Sequence, residues 1–221
     1  MSLNHDSFFA ECQGLRQASG EKPMPGTSLA DWAVKYRDAG ITILPCFGVV
    51  ETSEGYRCAC SKGAACESPG KHPRYPGKRV LRPEEVEKHW QQFPTDNIAI
   101  PMGVNGLVCV DIDAGNGGEI DAIDGEWLGI AAVEHTGGGG LHLLFKAREG
   151  AKYPGKYAEG IDGKHGAGYI VASPSMHASG RRYLPVLGNW ITDKAPGVAP
   201  AALESKPRGR KPAVAAPVAA Q

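Results

Sequence analysis

Six short apolar segments follow one another between residues 97 and 186, and this succession limits the possible folds more than any other feature of the chain. Each segment is rich in β-branched or aromatic residues, and Gly, Pro or Asn separates neighbours, as is typical of strands joined by turns. The segments are NIAIPMG, GLVCVDID, IAAVEHT, LHLLFKA, AGYIVASPS and RRYLPV. Since helices do not alternate regularly with these strands, the pattern predicts an α+β fold in which helices flank a mixed or antiparallel sheet.

Two amphipathic helices are predicted on the N-terminal side of this sheet. The segment SLADWAVKYRDAG places Ser28 as the N-cap and Gly40 at the helix end. Its apolar residues recur at helical spacing, at Leu29, Trp32, Ala33 and Tyr36. The segment ITILPC then predicts a strand, and RPEEVEKHWQQF predicts a second helix with Pro83 in its first turn. Glycines weaken a further short helix between residues 118 and 128.

Composition divides the chain into three parts. Residues 1–26 form an N-terminal extension, residues 27–192 the folded domain, and residues 193–221 an Ala- and Pro-rich basic tail or linker that we expect to be disordered. Lys and Arg number 24, as do Asp and Glu, so net charge alone indicates neither a nucleic-acid binder nor an acidic protein. Because the sequence shows no secretory signal pattern and no membrane-spanning apolar run, a cytoplasmic location is expected.

A cysteine-rich loop, about residues 56–78, contains a candidate zinc site. The spacing C-x-C-x₅-C-x₅-H supplies four ligands suited to tetrahedral Zn²⁺, namely Cys58, Cys60, Cys66 and His72. Because the Gly, Ser, Lys and Pro residues around them cannot build a core, a structural zinc ion would order this segment. The alternatives are a mobile loop with free thiols or a disulfide.

Other residues in and around this loop have less specific patterns. The basic ones could contact phosphate or could simply be solvated; they are Lys62, Lys71, Arg74, Lys78 and Arg79. The remaining cysteines, Cys12, Cys46 and Cys109, lie in apolar or helical contexts, and we expect them in the core.

The strand GLVCVDID runs directly into two carboxylates, Asp111 and Asp113, which share one face because strand residues alternate. One interpretation is turn chemistry, which explains Asp113 at the start of AGNGG but leaves Asp111 unexplained. A second is a divalent-metal site, since Mg²⁺ prefers oxygen ligands. A third is the aspartyl nucleophile of a haloacid dehalogenase-type phosphotransferase. The residues after Asp113 and the hundred residues before the motif disfavour that third interpretation.

Two downstream segments bear on this choice. In EHTGGGGLHLLF, four glycines precede a strand that carries His142, and a glycine run allows backbone N–H groups to approach an anion closely. The alternative is a flexible hairpin loop with a partly buried histidine. The segment GIDGKHGAGYIVASPSMHASGRRY adds a third carboxylate, Asp162, which taken alone is most simply a turn residue.

Taken in this order, the motifs resemble the bifunctional DNA primase/polymerase (Prim-Pol) domain of the archaeo-eukaryotic primase superfamily over residues 29–183. The first landmark is the helix near Ala30 and Trp32, followed by ITILPC, and the second is the zinc segment that ends in PGKHP. The third is the DxD motif after an apolar strand. The fourth combines T-x-x-G-G-x-H at residues 136–142 with GIDG, GAGYIVASPS and H-x-x-G-x-x-Y at residues 177–183.

This resemblance implies an RRM-like sheet and primer synthesis by template-directed nucleotidyl transfer. It implies that Asp111, Asp113 and Asp162 hold two Mg²⁺ or Mn²⁺ ions, and that His142 contacts the triphosphate of the incoming nucleotide. The other residues implied on the nucleotide or template side are Thr136, Gly139, Gly140, Ser173, Ser175 and His177. The implied partners are a single-stranded DNA template, dNTPs or NTPs, and a helicase as partner or fused domain. The setting would be replication of a phage, plasmid or bacterial mobile element.

The chain departs from the family pattern at two places. Gly137 and Gly138 stand where Pro-Ser is common, and DGKHG offers Lys164 and His165 where an Arg often follows the third-motif aspartate. The residues also leave two other functions open. A non-catalytic, zinc-stabilised nucleic-acid-binding module of a replication initiator would bind DNA without incorporating nucleotides. A metal-dependent phosphohydrolase would release phosphate without a template.

Overall fold

The computed structural model describes residues 28–120, 125–186, 189–193 and 195–205. The predicted N-terminal extension, Cys12 and the last sixteen residues of the predicted tail, 206–221, lie outside these ranges. The described chain is an α+β fold in which every paired strand is antiparallel, so the predicted class is confirmed. No helix in this part of the chain has the length and apolar character that crossing a membrane requires.

Three α-helices lie within the described ranges: α1 (Leu29–Asp38), α2 (Val86–Gln92) and α3 (Gly125–Ile130). Helix α1 begins where predicted because Ser28 and Asp31 form a reciprocal capping box, with Asp31 N donating to Ser28 Oγ over 3.2 Å and Ser28 N donating to Asp31 Oδ2 over 2.8 Å. Its predicted apolar stripe buries Trp32 and Tyr36 against the sheet. Helix α2 follows a 3₁₀ turn that contains Pro83.

The strands form three antiparallel sheets, ordered β1-β4-β10, β11-β6-β7-β5-β9-β8 and β2-β3. They are β1 (Leu44–Cys46), β2 (Val49–Thr52), β3 (Gly55–Cys58), β4 (Asn97–Pro101), β5 (Leu107–Ile112), β6 (Ala132–His135), β7 (Leu141–Lys146), β8 (Lys156–Ala158), β9 (Ile161–Lys164), β10 (Tyr169–Val171) and β11 (Leu184–Val186). All six strands predicted between residues 97 and 186 are present, as is the strand predicted in ITILPC. Strand β3 of the hairpin β2-β3 extends into the segment, about residues 56–78, that the sequence predicted as a cysteine-rich loop.

Strand β5 lies inside the six-stranded sheet and packs on both faces, which explains its nearly continuous apolar sequence. Val108 and Val110 face one core cluster, which also contains Leu143 and Phe145 of β7. Cys109 faces the other cluster, which includes α1, α2 and strands of the three-stranded sheet. Each fully buried valine or leucine contributes roughly 1.5–3 kcal/mol relative to an exposed side chain. Alternation along the strand then places Asp111 on the same face as Cys109.

A buried ion pair attaches the cysteine-rich loop to the helical side of the core. The Arg74 guanidinium forms a bidentate pair with the fully buried carboxylate of Asp96, to which the His89 Nε2 atom also lies within 3.0 Å. The guanidinium carbon lies 4.2 Å from the ring centre of Phe47 and 3.8 Å from that of Phe93. Since breaking such a buried pair costs about 3–5 kcal/mol, this contact holds the loop firmly against the domain.

The chain remains packed beyond residue 193, where composition predicted a disordered tail. Ala199 and Leu203 are buried in the same cluster as β5 and β7. Backbone hydrogen bonds join Lys146 N to the Gly197 carbonyl over 2.8 Å and Ala199 N to the Lys146 carbonyl over 2.9 Å. The tail prediction therefore began too early, because an Ala- and Pro-rich segment can hydrogen-bond to the end of β7 and bury apolar side chains without a regular pattern of its own. Cys46 and Cys109 are buried, as expected.

Candidate functional site

A transverse row of four polar residues crosses the centre of the six-stranded sheet. In the strand registers, Glu134 of β6 pairs with His142 of β7, His142 pairs with Asp111 of β5, and Asp111 pairs with Asp162 of β9. Directly paired residues project from the same face of a sheet, so the four side chains lie side by side. Two residues distant in the sequence, His142 and Asp162, are thus brought next to Asp111, and Glu134 lies beyond His142.

This row opens into a cavity of about 320 Å³. Its walls are formed by Lys71, Asp111, Asp113, Thr136, Gly138, His142, Asp162, Lys164, Tyr169, Ile170, Val171 and Tyr183. The three predicted metal-binding aspartates, the predicted histidine and Thr136 therefore line a single cavity. Such a concave, charged site is the kind of place where ligands bind.

Lys164 lies between two of the aspartates. Its Nζ atom is 2.9 Å from Asp162 Oδ2 and 3.4 Å from Asp111 Oδ2. Although partial burial opposes it, the hydrogen bond to Asp162 and the charge of Asp111 raise the pKa of Lys164 above its ordinary value. The ammonium reduces the repulsion between the two carboxylates. Lys164 thus places a cation beside Asp162, although the family often has an Arg after this aspartate.

His142 lies between two carboxylates. Its Nε2 atom is 3.6 Å from Asp111 Oδ1, and its Nδ1 atom is 4.0 Å from Glu134 Oε2. Glu134 is fully buried, and its carboxylate accepts hydrogen bonds from Trp190 Nε1 over 3.1 Å and Ser173 N over 3.3 Å. The ring of Tyr183 stacks on the imidazole with centroids 5.9 Å apart. The Nε2 side of the imidazole therefore lies beside Asp111 at the cavity, whereas Nδ1 is buried with no hydrogen-bond partner among the residues that the structure describes.

The position of Asp113 is consistent both with the predicted turn and with a metal-ligand role. Its Oδ1 atom accepts a hydrogen bond from Gly115 N over 3.0 Å, and its Oδ2 atom accepts one from Asn116 Nδ2 over 2.6 Å, which is the predicted turn chemistry. The same side chain also lines the cavity. A carboxylate has two oxygens with spare lone pairs, so a turn role and a metal-ligand role are compatible.

The glycine run forms the hairpin between β6 and β7. Thr136 closes it by accepting a hydrogen bond from Gly140 N on its side-chain oxygen over 2.9 Å. A Cβ atom at Gly140 would lie 2.0 Å from the Ile112 carbonyl oxygen, and one at Gly137 would lie 2.2 Å from His177 Cβ. Glycine is therefore required at both positions by close packing, and Gly138 remains on the cavity wall.

Five of the predicted nucleotide-side residues lie outside the cavity lining: Gly139, Gly140, Ser173, Ser175 and His177. The Ser175 hydroxyl is fully buried and bonds to the backbone N–H and carbonyl of Ile98 over 2.9 and 3.2 Å. Ser173 is buried, with its carbonyl accepting from the Tyr36 hydroxyl over 2.8 Å. His177 accepts from Ser179 N over 3.1 Å, and burial together with the charges of Lys71 and Arg181 lowers its pKa to about 4. Their roles with a nucleotide stay predictions.

The four predicted zinc ligands come together in space. One potential ligand atom from each of Cys58, Cys60, Cys66 and His72 lies within 4.8 Å of every other, and the described cysteines are free thiols. Although desolvation opposes it, hydrogen bonds from the Lys62 backbone and the other ligands lower the pKa of Cys60 to about 6, whereas burial raises that of Cys58 to about 11. Three thiols and one imidazole at this spacing are compatible with a structural zinc ion.

The cavity residues Lys71, Tyr169 and Tyr183 were not assigned to this site from the sequence. Neither was Glu134, which pairs with His142 and lies outside the cavity lining. Lys71 and Tyr183 lay within recognised motifs, PGKHP and H-x-x-G-x-x-Y, yet no local pattern showed that they face the aspartates. Glu134 lay within an apolar strand segment. The one sequence feature that could have indicated a role for Glu134 is a charged residue at an inward position of a buried strand.

Comparison with known protein families gives one match. The family model described as bifunctional DNA primase/polymerase, N-terminal, matches residues 33–203, which is more than half of the 221-residue chain. A search of curated proteins finds no relative that matches this chain. The matched region contains the cysteine–histidine cluster and every residue of the transverse row.

Proposed function

The chain belongs to the bifunctional DNA primase/polymerase family, and on this premise we propose that its cavity synthesises primers on single-stranded DNA by nucleotidyl transfer. The observation that carries the proposal is the convergence of Asp111, Asp113 and Asp162 on the cavity that also exposes His142. Three carboxylates in one cavity repel each other unless cations are bound, and one ammonium, from Lys164, contacts only two of them.

The proposed reaction joins a primer 3′-oxygen to the α-phosphorus of a nucleoside triphosphate. The bond between that phosphorus and the oxygen bridging to the β-phosphate breaks, and pyrophosphate leaves. The three aspartates would hold two Mg²⁺ or Mn²⁺ ions, which lower the pKa of the 3′-hydroxyl and stabilise charge on the pyrophosphate. Carboxylate oxygens are the ligands that these hard cations prefer.

The residues of the chain would orient the nucleotide. The imidazole of His142 stacks on Tyr183 and has its Nε2 atom beside Asp111 at the cavity, where it would donate to a phosphate oxygen. The hairpin that contains Thr136, Gly139 and Gly140 contributes Thr136 and Gly138 to the cavity wall, and this part of it would border the phosphates. Zinc held by the cysteine–histidine cluster would order the loop beside this cavity.

A primer-synthesis assay tests the proposal. Purified protein is incubated with labelled nucleotides and single-stranded templates, with and without a pre-annealed primer, in Mg²⁺ or Mn²⁺. We expect Asp111→Ala to abolish synthesis while circular dichroism shows a retained fold, because the side chain is partly exposed and Lys164 keeps its contact with Asp162. Asp38→Ala, an exposed aspartate at the end of α1, is the matched control.

Three results would contradict the proposal. Synthesis by Asp111→Ala at the wild-type rate would remove this carboxylate from the reaction. DNA binding that survives loss of Asp111 and Asp113, with no nucleotide incorporated by the wild-type protein, would support the non-catalytic nucleic-acid-binding module instead. Release of phosphate without a template would indicate a phosphohydrolase.

A further inference from the structure

Lys71 carries a positive charge on the wall of the catalytic cavity. Its side chain lines the same space as Asp111, Asp113 and Asp162. Unlike Lys164, which contacts two carboxylates, Lys71 forms no ion pair with any residue that the structure describes. It is also exposed, so its ammonium is available to an incoming ligand.

The backbone at Lys71 is held in place on both sides of the peptide. Its carbonyl oxygen accepts a hydrogen bond from the Tyr169 hydroxyl over 2.8 Å and a weaker contact from Cys46 Sγ at 3.6 Å. Its N–H donates to the Ser68 carbonyl over 3.1 Å. The preceding Gly70 is buried, and its carbonyl accepts a hydrogen bond from Asn97 Nδ2 over 2.8 Å. Lys71 therefore leaves a fixed backbone position toward the cavity.

The residue after Lys71 belongs to the cysteine–histidine cluster. His72 lies with Cys58, Cys60 and Cys66, and its carbonyl accepts a hydrogen bond from Phe47 N over 3.0 Å. The imidazole also stacks on the Phe47 ring with centroids 4.8 Å apart. Occupancy of the cluster by a metal would thus fix the chain immediately beside Lys71. The cysteine-rich loop and the carboxylate row contribute to one cavity.

We propose that Lys71 binds the phosphate groups of the incoming nucleoside triphosphate, an assignment that rests on the proposed function. A triphosphate carries more negative charge than cations at the aspartates would neutralise, and a lysine ammonium is a common point-charge partner for phosphate. A nucleotide is favoured over the template backbone because Lys71 shares its cavity with the carboxylates at which the reacting phosphate must lie.

Equilibrium binding tests this assignment without depending on turnover. The probe is a fluorescently labelled dATP, titrated with full-length protein in Ca²⁺ so that no incorporation occurs. We expect Lys71→Ala to weaken binding by about tenfold, since a hydrogen bond to a charged group contributes about that factor. Lys71→Arg should restore most of the affinity. Lys62→Ala, an exposed lysine of the same loop that does not line the cavity, should bind as the wild type does.

Binding of a labelled single-stranded DNA to the same variants separates the two phosphate sources. We expect Lys71→Ala to leave DNA affinity within about twofold of the wild type. Unchanged dATP affinity in Lys71→Ala, an equal loss in Lys62→Ala, or a loss confined to DNA would each overturn the assignment. If Asp111→Ala still abolishes primer synthesis in that case, the proposed function stands and only the role of Lys71 fails. A wild-type protein that neither binds dATP nor makes primers would overturn both.

Discussion

Asp111 and Asp162 face each other in the antiparallel register of β5 and β9. The ammonium of Lys164 lies within 3.4 Å of the first carboxylate and 2.9 Å of the second. The Lys164 ammonium therefore already lies between these two carboxylates. This arrangement explains how a folded sheet tolerates two like charges side by side, and it makes the ammonium a competitor of any divalent ion at the same oxygens.

We expect Lys164→Met to bind Mn²⁺ more tightly than the wild type, by about tenfold, because the ammonium no longer competes for the carboxylates. Titration followed by the electron paramagnetic resonance of unbound Mn²⁺ measures this affinity. Lys146→Met, an exposed lysine at the end of β7, controls for the loss of one positive charge. Unchanged Mn²⁺ affinity in Lys164→Met would show that the ammonium and the metal do not share a position.

We expect Glu134→Gln to lower the free energy of unfolding by about 1–3 kcal/mol. The buried carboxylate accepts from Trp190 Nε1 and Ser173 N on different oxygens, and an amide offers only one acceptor oxygen. One donor would then face an NH₂ group. Urea denaturation measures the change, with Glu159→Gln, an exposed loop residue, expected within about 0.5 kcal/mol of the wild type. Equal stability of the two variants would contradict the structural role of Glu134.

The cysteine–histidine cluster should hold about one zinc ion per chain, measured by elemental analysis of the purified protein. Cys60→Ser should lose most of the zinc and lower the melting temperature by roughly 5–10 °C, because metal binding no longer contributes to folding. Cys109→Ala should keep its zinc, since that buried cysteine lies in the core and outside the cluster. Stoichiometric zinc in Cys60→Ser would show that this residue is not a ligand.

Acid should destabilise the protein in part through His177. Its pKa in the folded chain is lowered to about 4 by burial and by the charges of Lys71 and Arg181, from an ordinary value of 6.5. Between these values the unfolded chain binds a proton that the folded chain does not, so stability falls as pH decreases through this range. Urea unfolding at pH 7 and pH 4.5 should show a smaller loss of stability for His177→Gln. An identical loss in variant and wild type would contradict the assignment.

Local sequence patterns determined the elements of this protein. The capping pair Ser28 and Asp31, the helical spacing of Trp32 and Tyr36, and the β-branched segments from residue 97 onward each depend on neighbours within a few residues. The C-x-C-x₅-C-x₅-H spacing is equally local. The α+β class, the seven predicted strands and the spatial cluster of Cys58, Cys60, Cys66 and His72 follow from such patterns, because hydrogen bonding and side-chain direction repeat over short distances.

Only the tertiary structure decided which distant residues share the cavity. The placement of Glu134 beside His142 and of Asp162 beside Asp111 depends on strand register, and register is set by packing of whole strands on two core clusters. The backbone of Lys71 is likewise bound beside the cavity by a hydrogen bond from distant Tyr169. Sequence spacing carries no information on such contacts, since they arise when segments far apart in the chain bury their apolar faces together.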